Sequence, residues 1–561
     1  MGEIAVTIDA KVETEVEGIK RSSDFLRGDL AHELDNDLDH VTNESEQLLK
    51  FHGVYAQDNR DVRRERALAK EPLDYIFMIR VVIPGGQMNT DQWLALDQVS
   101  GSVADGTIRL TTRQAVQFHG VVKDGLRPLA RALDSQLMAS FGACGDVVRN
   151  VVSCPNLETS DGDPRLAGIA ARLSRAFRPT TEAHWEIFVN GEQAVTRGAV
   201  PERPFYGDTY LPRKFKIAVA HPDENCVDVF AQDVGLVPGE HPEAGVGLNL
   251  LIGGGLGRSY AHPTTFARLA DPMTFVTYDE VEEVIGAVIA TYRDLGDRTD
   301  RKRARMKYVV ADAGYETFRK EVELRLGREL RAPLDLPERF DAADHLGWHD
   351  LSGGLGQIGV RVSAGRVRDL EGGPRLRSAL RLIAQSVPVT FFITPQQDII
   401  ISRIPNEQRH VVEQVLRDHG VRLSDELGVV ERTALACPAL PTCSQALAES
   451  ERRLPDLVEN IEDELGRRQL GRKSLQLRVT GCPNGCARPA VAEVGVVGRT
   501  KSTYDVYVGG GPRGDRLATL YREKVPFDAI AEVLGPLFDR WESDGLPDEA
   551  FGDFITRVGL T

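Results

Sequence analysis

Cysteine is scarce in this chain, seven residues in 561, and a sparse, odd count excludes a disulfide framework and points to a reducing compartment, the cytoplasm. Long apolar runs are missing too. No stretch of eighteen apolar residues occurs, so no membrane-spanning helix is expected. The start, MGEIAVTIDAKVETEVEG, has neither the basic-then-apolar pattern of a secretory leader nor the Ser or Thr at position six of a myristoylation signal. Basic residues are outnumbered, 68 Lys and Arg against 84 Asp and Glu, a net charge of −16. That balance argues against a nucleic-acid partner, which needs a basic surface. It does not exclude a small anion, because local clusters decide such sites. A dinucleotide fingerprint is also lacking. In GGGLGRS, Arg258 stands where the third glycine of G-x-G-x-x-G belongs. Gly253, Gly254, Gly255 and Gly257 are then read as a tight turn or a close backbone approach to a large ligand.

Hydrophobic residues at 42% and charged residues at 27% are the balance of a globular chain, and the length suits three or four domains. Strand-like and helix-like stretches alternate after an acidic, polar first fifty residues, which read as a surface-lying or partly mobile arm. The class is α+β or α/β. Three echoes recur in the same order. Ile108–Lys123 (IRLTTRQAVQFHGVVK) is echoed by Thr390–Arg403, RNVVSCP at Arg149–Pro155 by LRVTGCP at Leu477–Pro483, and LNLLIGGGLG by YDVYVGGGPRG. A duplicated chain is expected, with halves of roughly 70–330 and 345–561.

What cysteine there is falls in a pattern. Cys437 and Cys443 lie in ACPALPTC, Cys482 and Cys486 in GCPNGCARP, with gaps of five, thirty-eight and three residues. Four thiolates in two short Pro- and Gly-punctuated loops suit one metal centre, an iron–sulfur cluster or zinc. Structural zinc knuckles use two to four intervening residues, and the five-residue gap fits them poorly.

These motifs resemble the signature of the sulfite and nitrite reductases that hold a [4Fe–4S] cluster against a siroheme, and the likeness runs from about Lys50 to about Gly511. The ALPTC and NGCARP variants are closer to the sulfite branch. The resemblance implies that all four cysteines bind the cluster and that Cys486 also bridges to the siroheme iron. It implies an α+β, pseudo-twofold fold: a 1–68 arm, ferredoxin-like halves at 69–140 and 336–425, and larger α+β domains at 141–335 and 426–561 around the siroheme.

Read as one strand, Arg109–His119 presents Arg109, Thr111, Arg113, Gln117 and His119 on one face, with Leu110, Val116 and Phe118 on the other. The echo presents Phe391, Ile393, Pro395, Gln397, Ile399 and Ile401 there. A cationic, polar face in one copy against an apolar one in the other suits a polycarboxylate ligand, and the resemblance places this strand, with Asn249, Gly254 and Gly255, beside siroheme. It also implies that Arg80, Arg149, Lys214 and Lys216 ring the distal face and hold the substrate anion. Family members often carry a second Arg two residues after Arg80, where this chain has Val82. Taken singly, Lys214 and Lys216 read as snorkelling surface charges, the alternative for any one of the four.

Three cysteines remain. Cys226 reads as a small buried residue. Cys154, taken as the echo of Cys482, lacks a partner four residues on, where Glu158 stands, and reads as a relic without metal. Cys144, in ACGDVVR, and Tyr55, in KFHGVYAQDNRD, are expected to meet at the distal face, as in relatives with a Tyr–Cys link. The reading is an assimilatory sulfite reductase haemoprotein. Nitrite reduction on the same scaffold and a non-catalytic four-cysteine metal or electron-carrier module are the alternatives. No flavin or nicotinamide motif is present, so electrons must come from a partner, a ferredoxin or an NADPH-oxidising flavoprotein. The Cys144 motif and Tyr55 favour ferredoxin.

Overall fold

The structure, a computed structural model, describes residues 12–159, 163–179, 188–189, 192–193, 206–207, 209–337, 340 and 342–559. Residues 1–11 of the expected arm lie outside them. Four five-stranded sheets form two matching pairs.

In the first pair the halves exchange edge strands. Val54–Asp58, Tyr75–Val81, Val116–Val121 and Ile108–Leu110 pair antiparallel in that order, and Arg366–Val367 of the second half completes the sheet. Its counterpart runs Gly347–Leu351, Leu355–Val360, Ile399–Pro405, Thr390–Ile393 and is completed by Gln87–Asn89 of the first half. Each donated strand covers a sheet edge that would otherwise present unpaired backbone groups. Helix Thr90–Val103 follows the first donated strand and starts on a capping box: Asn89 Oδ1 accepts the Gln92 amide (2.8 Å) and Gln92 Oε1 accepts the Asn89 amide (3.1 Å). Its fully buried Trp93 stacks on Phe391 of the other half, ring centroids 5.1 Å apart.

The stretch read as one strand from Ile108 is a hairpin. Strand Ile108–Leu110 turns through Thr111–Ala115 into Val116–Val121, and Arg109 lies directly opposite Gln117. The turn is closed by Thr111 N to Ala115 O and Gln114 N to Thr111 O, both 3.0 Å, with Gln114 at φ +50°. Thr394 N to Asp398 O (2.9 Å), Gln397 N to Thr394 O (3.0 Å) and Gln397 at φ +70° repeat it. Thr111 therefore matches Thr394, and the apolar face expected from Phe391 and Ile393 was one residue out of frame. Alternation cannot be carried through a left-handed turn residue.

The second pair of sheets is mixed. Val152–Ser153, Ile217–Val219 and Val234–His241 are parallel neighbours, and Gly245–Ile252 and Asp271–Thr277 follow antiparallel. Leu435–Ala436, Leu477–Thr480, Val494–Gly498, Thr503–Val508 and Thr519–Pro526 repeat the order and directions. The valines, isoleucines and leucines of the inner strands are buried in near-continuous runs, as strands covered on both faces require, while the edge strand Thr519–Pro526 is largely exposed. This match corrects the second echo. Val152–Ser153 corresponds to Leu435–Ala436, so the residue that follows, Cys154, is the counterpart of Cys437 and not of Cys482.

The N-terminal stretch is not a loose arm among the described residues. Helices Glu15–Ser22, Leu30–Asp35 and Asn43–Leu49 bury Ile19, Leu30, Leu48 and Leu49. Glu17 and Lys20, fully buried and paired at 2.6 Å, join Arg298, Arg301 and Asp146 in one ionic network. Its acidic residues are internal counter-ions, which composition alone does not reveal.

Candidate active site

The four motif cysteines are gathered by strand pairing. Leu435–Ala436 and Leu477–Thr480 lie parallel and in contact, so the loops bearing Cys437 and Cys482 leave the same end of the sheet. Cys437 Sγ accepts the amide of Gly481 at 3.3 Å. A side chain at Gly481 would put its Cβ 2.5 Å from Ala448 O and 2.6 Å from Ala439 Cβ. The Cys443 loop is fixed by Arg60, which donates to Cys443 O (3.2 Å) and Ala446 O (2.6 Å). Thr112 Oγ1 of the first-half hairpin donates to Cys486 O at 3.1 Å. Cys437 and Cys482 are buried, Cys443 is partly covered, and Cys486 is exposed. Burial, then the neighbouring Cys486 thiolate, raises the other three thiols, Cys482 to about 12. Only a strongly cationic centre can hold such a set as thiolates.

Cations face the exposed member. Arg80 donates to Cys144 Sγ at 3.0 Å while its Nε is buried without a partner. Cys486 lies close enough to favour the charged forms of both Arg80 and Lys214. Arg149 is held by Gly145 O (2.8 Å) and Ala143 O (3.3 Å). Burial and Arg305 bring the Lys214 ammonium down to about 7, and burial beside Lys214 lowers Lys216 further. Asp233, whose charge favours the Lys216 ammonium, is held by Arg305 Nη2 (2.8 Å) and by the Lys216 backbone amide (3.0 Å). Arg113 donates to Gln232 Oε1 (2.7 Å), Ile217 O (3.1 Å) and Asn150 O, leaving Nε buried and unpartnered. Tyr55 packs with Val82, Ala143 and Cys144, and burial beside the Cys144 thiol raises its phenol.

The remaining expected contacts fall in three places. Arg109, fully buried, donates to Glu451 Oε2 (2.9 Å), Ala436 O (2.7 Å) and Leu110 O, so it buttresses the strand leading into Cys437. Thr111 Oγ1 accepts the Ala115 amide (3.2 Å) inside the turn. Gln117 is buried opposite both Arg80 and Arg109, and His119 is buried with neither ring nitrogen partnered. Asn249 clasps Leu334, donating to its carbonyl (2.7 Å) and accepting its amide (2.9 Å). A Cβ on Gly254 would lie 2.2 Å from Phe230 O, and one on Gly255 3.1 Å from Arg305 Nη2. The same turn meets the cluster loop, where Arg258 N donates to Pro483 O at 2.9 Å.

Sequence reasoning missed Asn150, Arg305, Lys307 and Arg488. Asn150 ties Ile83 O, Arg113 O and Gln114 O together. Lys307, fully buried, donates to Gly255 O (3.0 Å) and Gly257 O (2.7 Å), and burial beside Arg305 lowers it to about 6. Both basic residues sit in TDRKRARMKY, a run that resembles a solvated face. The signal available was the alternation of Arg305 and Lys307 around Met306.

The donor set fits an iron–sulfur cluster, and the half-buried Arg80 and Arg113 with their buried, unpartnered Nε atoms, the buried His119, and Lys214 and Lys216 fit a carboxylate-rich macrocycle and its anionic ligand. The nitrite and sulphite reductase 4Fe-4S domain matches residues 170–330 and 429–561, and the nitrite/sulfite reductase ferredoxin-like half domain matches 69–136. The chain is 43% identical over 550 residues to the sulfite reductase [NADPH] hemoprotein beta-component of Chromohalobacter salexigens, covering 97% of this chain and 95% of that one. It is 39% identical over 562 residues to the protein of the same name from Staphylococcus saprophyticus, covering 100% and 98%. The Mycobacterium tuberculosis NirA structure shares the fold, with a TM-score of 0.77 at 24% identity over 96% of this chain and 95% of that one. Coverage on that scale, over the four cysteines and the cations that face them, makes the chain a member of the nitrite and sulphite reductase family, with siroheme and a [4Fe–4S] cluster as its cofactors.

Proposed function

We propose that the chain is the haemoprotein subunit of an assimilatory sulfite reductase, reducing sulfite to sulfide, with Cys486 joining the cluster to the siroheme. The observation that carries this reading is the convergence on Cys486, the exposed thiol of the four, of Arg80 and Lys214. Siroheme, when bound, supplies an iron for the substrate's sulfur, and the cluster supplies electrons one at a time. The chain's own residues do the rest. Sulfite takes six electrons and seven protons and gives up three waters to become hydrosulfide, so every departing oxygen must be protonated. Arg80 and Arg149 are fixed charges aimed at the anion, a preorganised field in a dry site. Lys214, with its ammonium near neutrality, can both hold an oxygen and give it a proton. Arg109 acts one step back, holding the strand before Cys437.

The ferredoxin that the Cys144 motif favoured gives way here to a flavoprotein. The relatives are named as NADPH enzymes and as beta-components, which supports a separate NADPH-oxidising subunit as the donor. Anaerobic turnover with reduced methyl viologen as the electron donor tests the reaction without any donor protein. A kcat/KM higher for sulfite than for nitrite, with sulfide as product, is the expected result. A preference for nitrite would assign the chain to the other branch.

A further inference from the structure

A second group of metal-binding side chains lies in the first half, apart from the cluster loops. Cys154, Glu224, Cys226 and His345 each offer one ligand atom, and the four atoms lie within 4.8 Å of one another. Cys154 and Cys226 are fully buried and His345 nearly so. Cys154 Sγ touches Glu224 Oε1 at 2.5 Å, and His345 Nε2 stands 3.5 Å from the same oxygen without a hydrogen-bond partner.

The fold explains why two cysteines meet there. Cys154 N donates to Val219 O at 2.9 Å, as Cys437 N donates to Val479 O at 3.3 Å, each just past the edge strand of its sheet. Asp228 N donates to Asn225 O at 3.1 Å and Arg488 N to Gly485 O at 2.9 Å. Asp228 and Arg488 both have left-handed backbones, and each opens a short 3-10 turn, Val229–Ala231 or Pro489–Val491. Cys226 is therefore the counterpart of Cys486, as Cys154 is of Cys437. The site is the duplicate of the cluster site with two of its four thiols kept, which fits the reading of Cys154 as a relic of duplication.

We propose that these four residues bind a structural zinc ion. Two thiolates, one imidazole and one carboxylate are a closed tetrahedral zinc set. Zinc–ligand bonds of about 2.0–2.3 Å put neighbouring donors about 3.3–3.8 Å apart, so the grouping needs only small side-chain adjustments. The donors carry three negative charges against two on the ion, and Arg488 of the cluster loop is close enough to Cys226 to offset the remainder. Asn156 Nδ2 donates to Glu224 Oε1 at 3.3 Å and orients the carboxylate, leaving Oε2 as the second oxygen able to face an ion. His345 lies two residues before strand Gly347–Leu351, so the ion would fasten the second ferredoxin-like sheet to the first large sheet.

The test is elemental analysis and zinc-edge absorption on the anaerobically purified, cofactor-loaded enzyme. About one zinc per chain is expected, with a shell of two sulfurs and two lighter donors. Cys154→Ser/Cys226→Ser should lose that zinc and keep the siroheme and cluster spectrum. Zinc below a tenth of an equivalent, or a Cys154–Cys226 disulfide in the purified enzyme, would overturn the proposal. So would a four-sulfur zinc shell, which would mark zinc misplaced at the cluster cysteines. The shell is read on the parent enzyme, so the outcome does not depend on the double variant folding.

Discussion

A lysine buried beside Arg305 and Arg149, with Asp233 already taken by Arg305, keeps its charge over only part of the working pH range. Lys214 ordinarily titrates near 10.5 and here does so at about 7, with burial as the main cause and Arg305 next. Its ammonium is present below that pH and lost above it. Anion binding and proton donation through Lys214 should therefore fall as pH rises through about 7. In viologen-driven turnover, kcat/KM for sulfite is expected to decline on that limb. Lys214→Gln should cost about 10²–10³-fold below pH 7, the scale of one lost oxyanion donor, and flatten the limb. Lys214→Arg should move the decline upward, because a guanidinium does not deprotonate in this range. A limb unchanged in both variants would place the titrating group elsewhere. The four cysteines, Arg80, Arg149, Lys214 and Lys216 were legible in the sequence because each sits in a short motif, whereas Arg305 lies in a basic run. Asn150 and Lys307 were not, because their work is to tie backbone carbonyls that only the folded chain brings together.

At the scale of elements, the two glycine-rich turns do the same job in each half. A Cβ on Gly254 would lie 2.2 Å from Phe230 O, and one on Gly510 would lie 2.2 Å from Ala492 O. Each clash is with backbone that cannot step aside. Gly254→Ala and Gly510→Ala should each cost about 1–3 kcal/mol, the usual range for overpacking, and lower the siroheme bound per chain. Thermal unfolding and the Soret-to-protein absorbance ratio measure the two effects. Full cofactor content with an unshifted Tm would show that the turns have room. The duplication itself was legible, but its frame was not. RNVVSCP and LRVTGCP look alike because a buried valine strand ending in Cys-Pro is a common local solution. Sheet order assigns them to different positions, Val152–Ser153 at an edge and Leu477–Thr480 one place in. The hairpin at Thr111 was hidden for a related reason: Gln114 takes a left-handed backbone that favours glycine or asparagine, so no turn residue announced it.

Across the whole molecule, the halves are joined by exchanged strands and by charge. Glu451, from the cluster-bearing half, takes Arg109 at 2.9 Å and Arg366 at 2.6 Å, at the point where Arg366–Val367 pairs with Ile108–Leu110. Arg109 is fully buried and Glu451 partly so, and against the upward push of burial the two guanidinium groups hold the Glu451 carboxyl at about 2, against an ordinary 4.5. A carboxylate held low stabilises the folded state above its unfolded value, and that stabilisation is lost as pH falls from about 4.5 toward 2. Glu451→Gln leaves two buried cations facing a neutral amide, a loss of about 3–5 kcal/mol. Urea unfolding of parent and variant should therefore show the full gap at pH 7 and a narrowing gap below pH 4.5, where protonation of the parent's own Glu451 produces the same defect. A gap of constant size across that range would mean that Glu451 is not the charge holding the exchanged strands together.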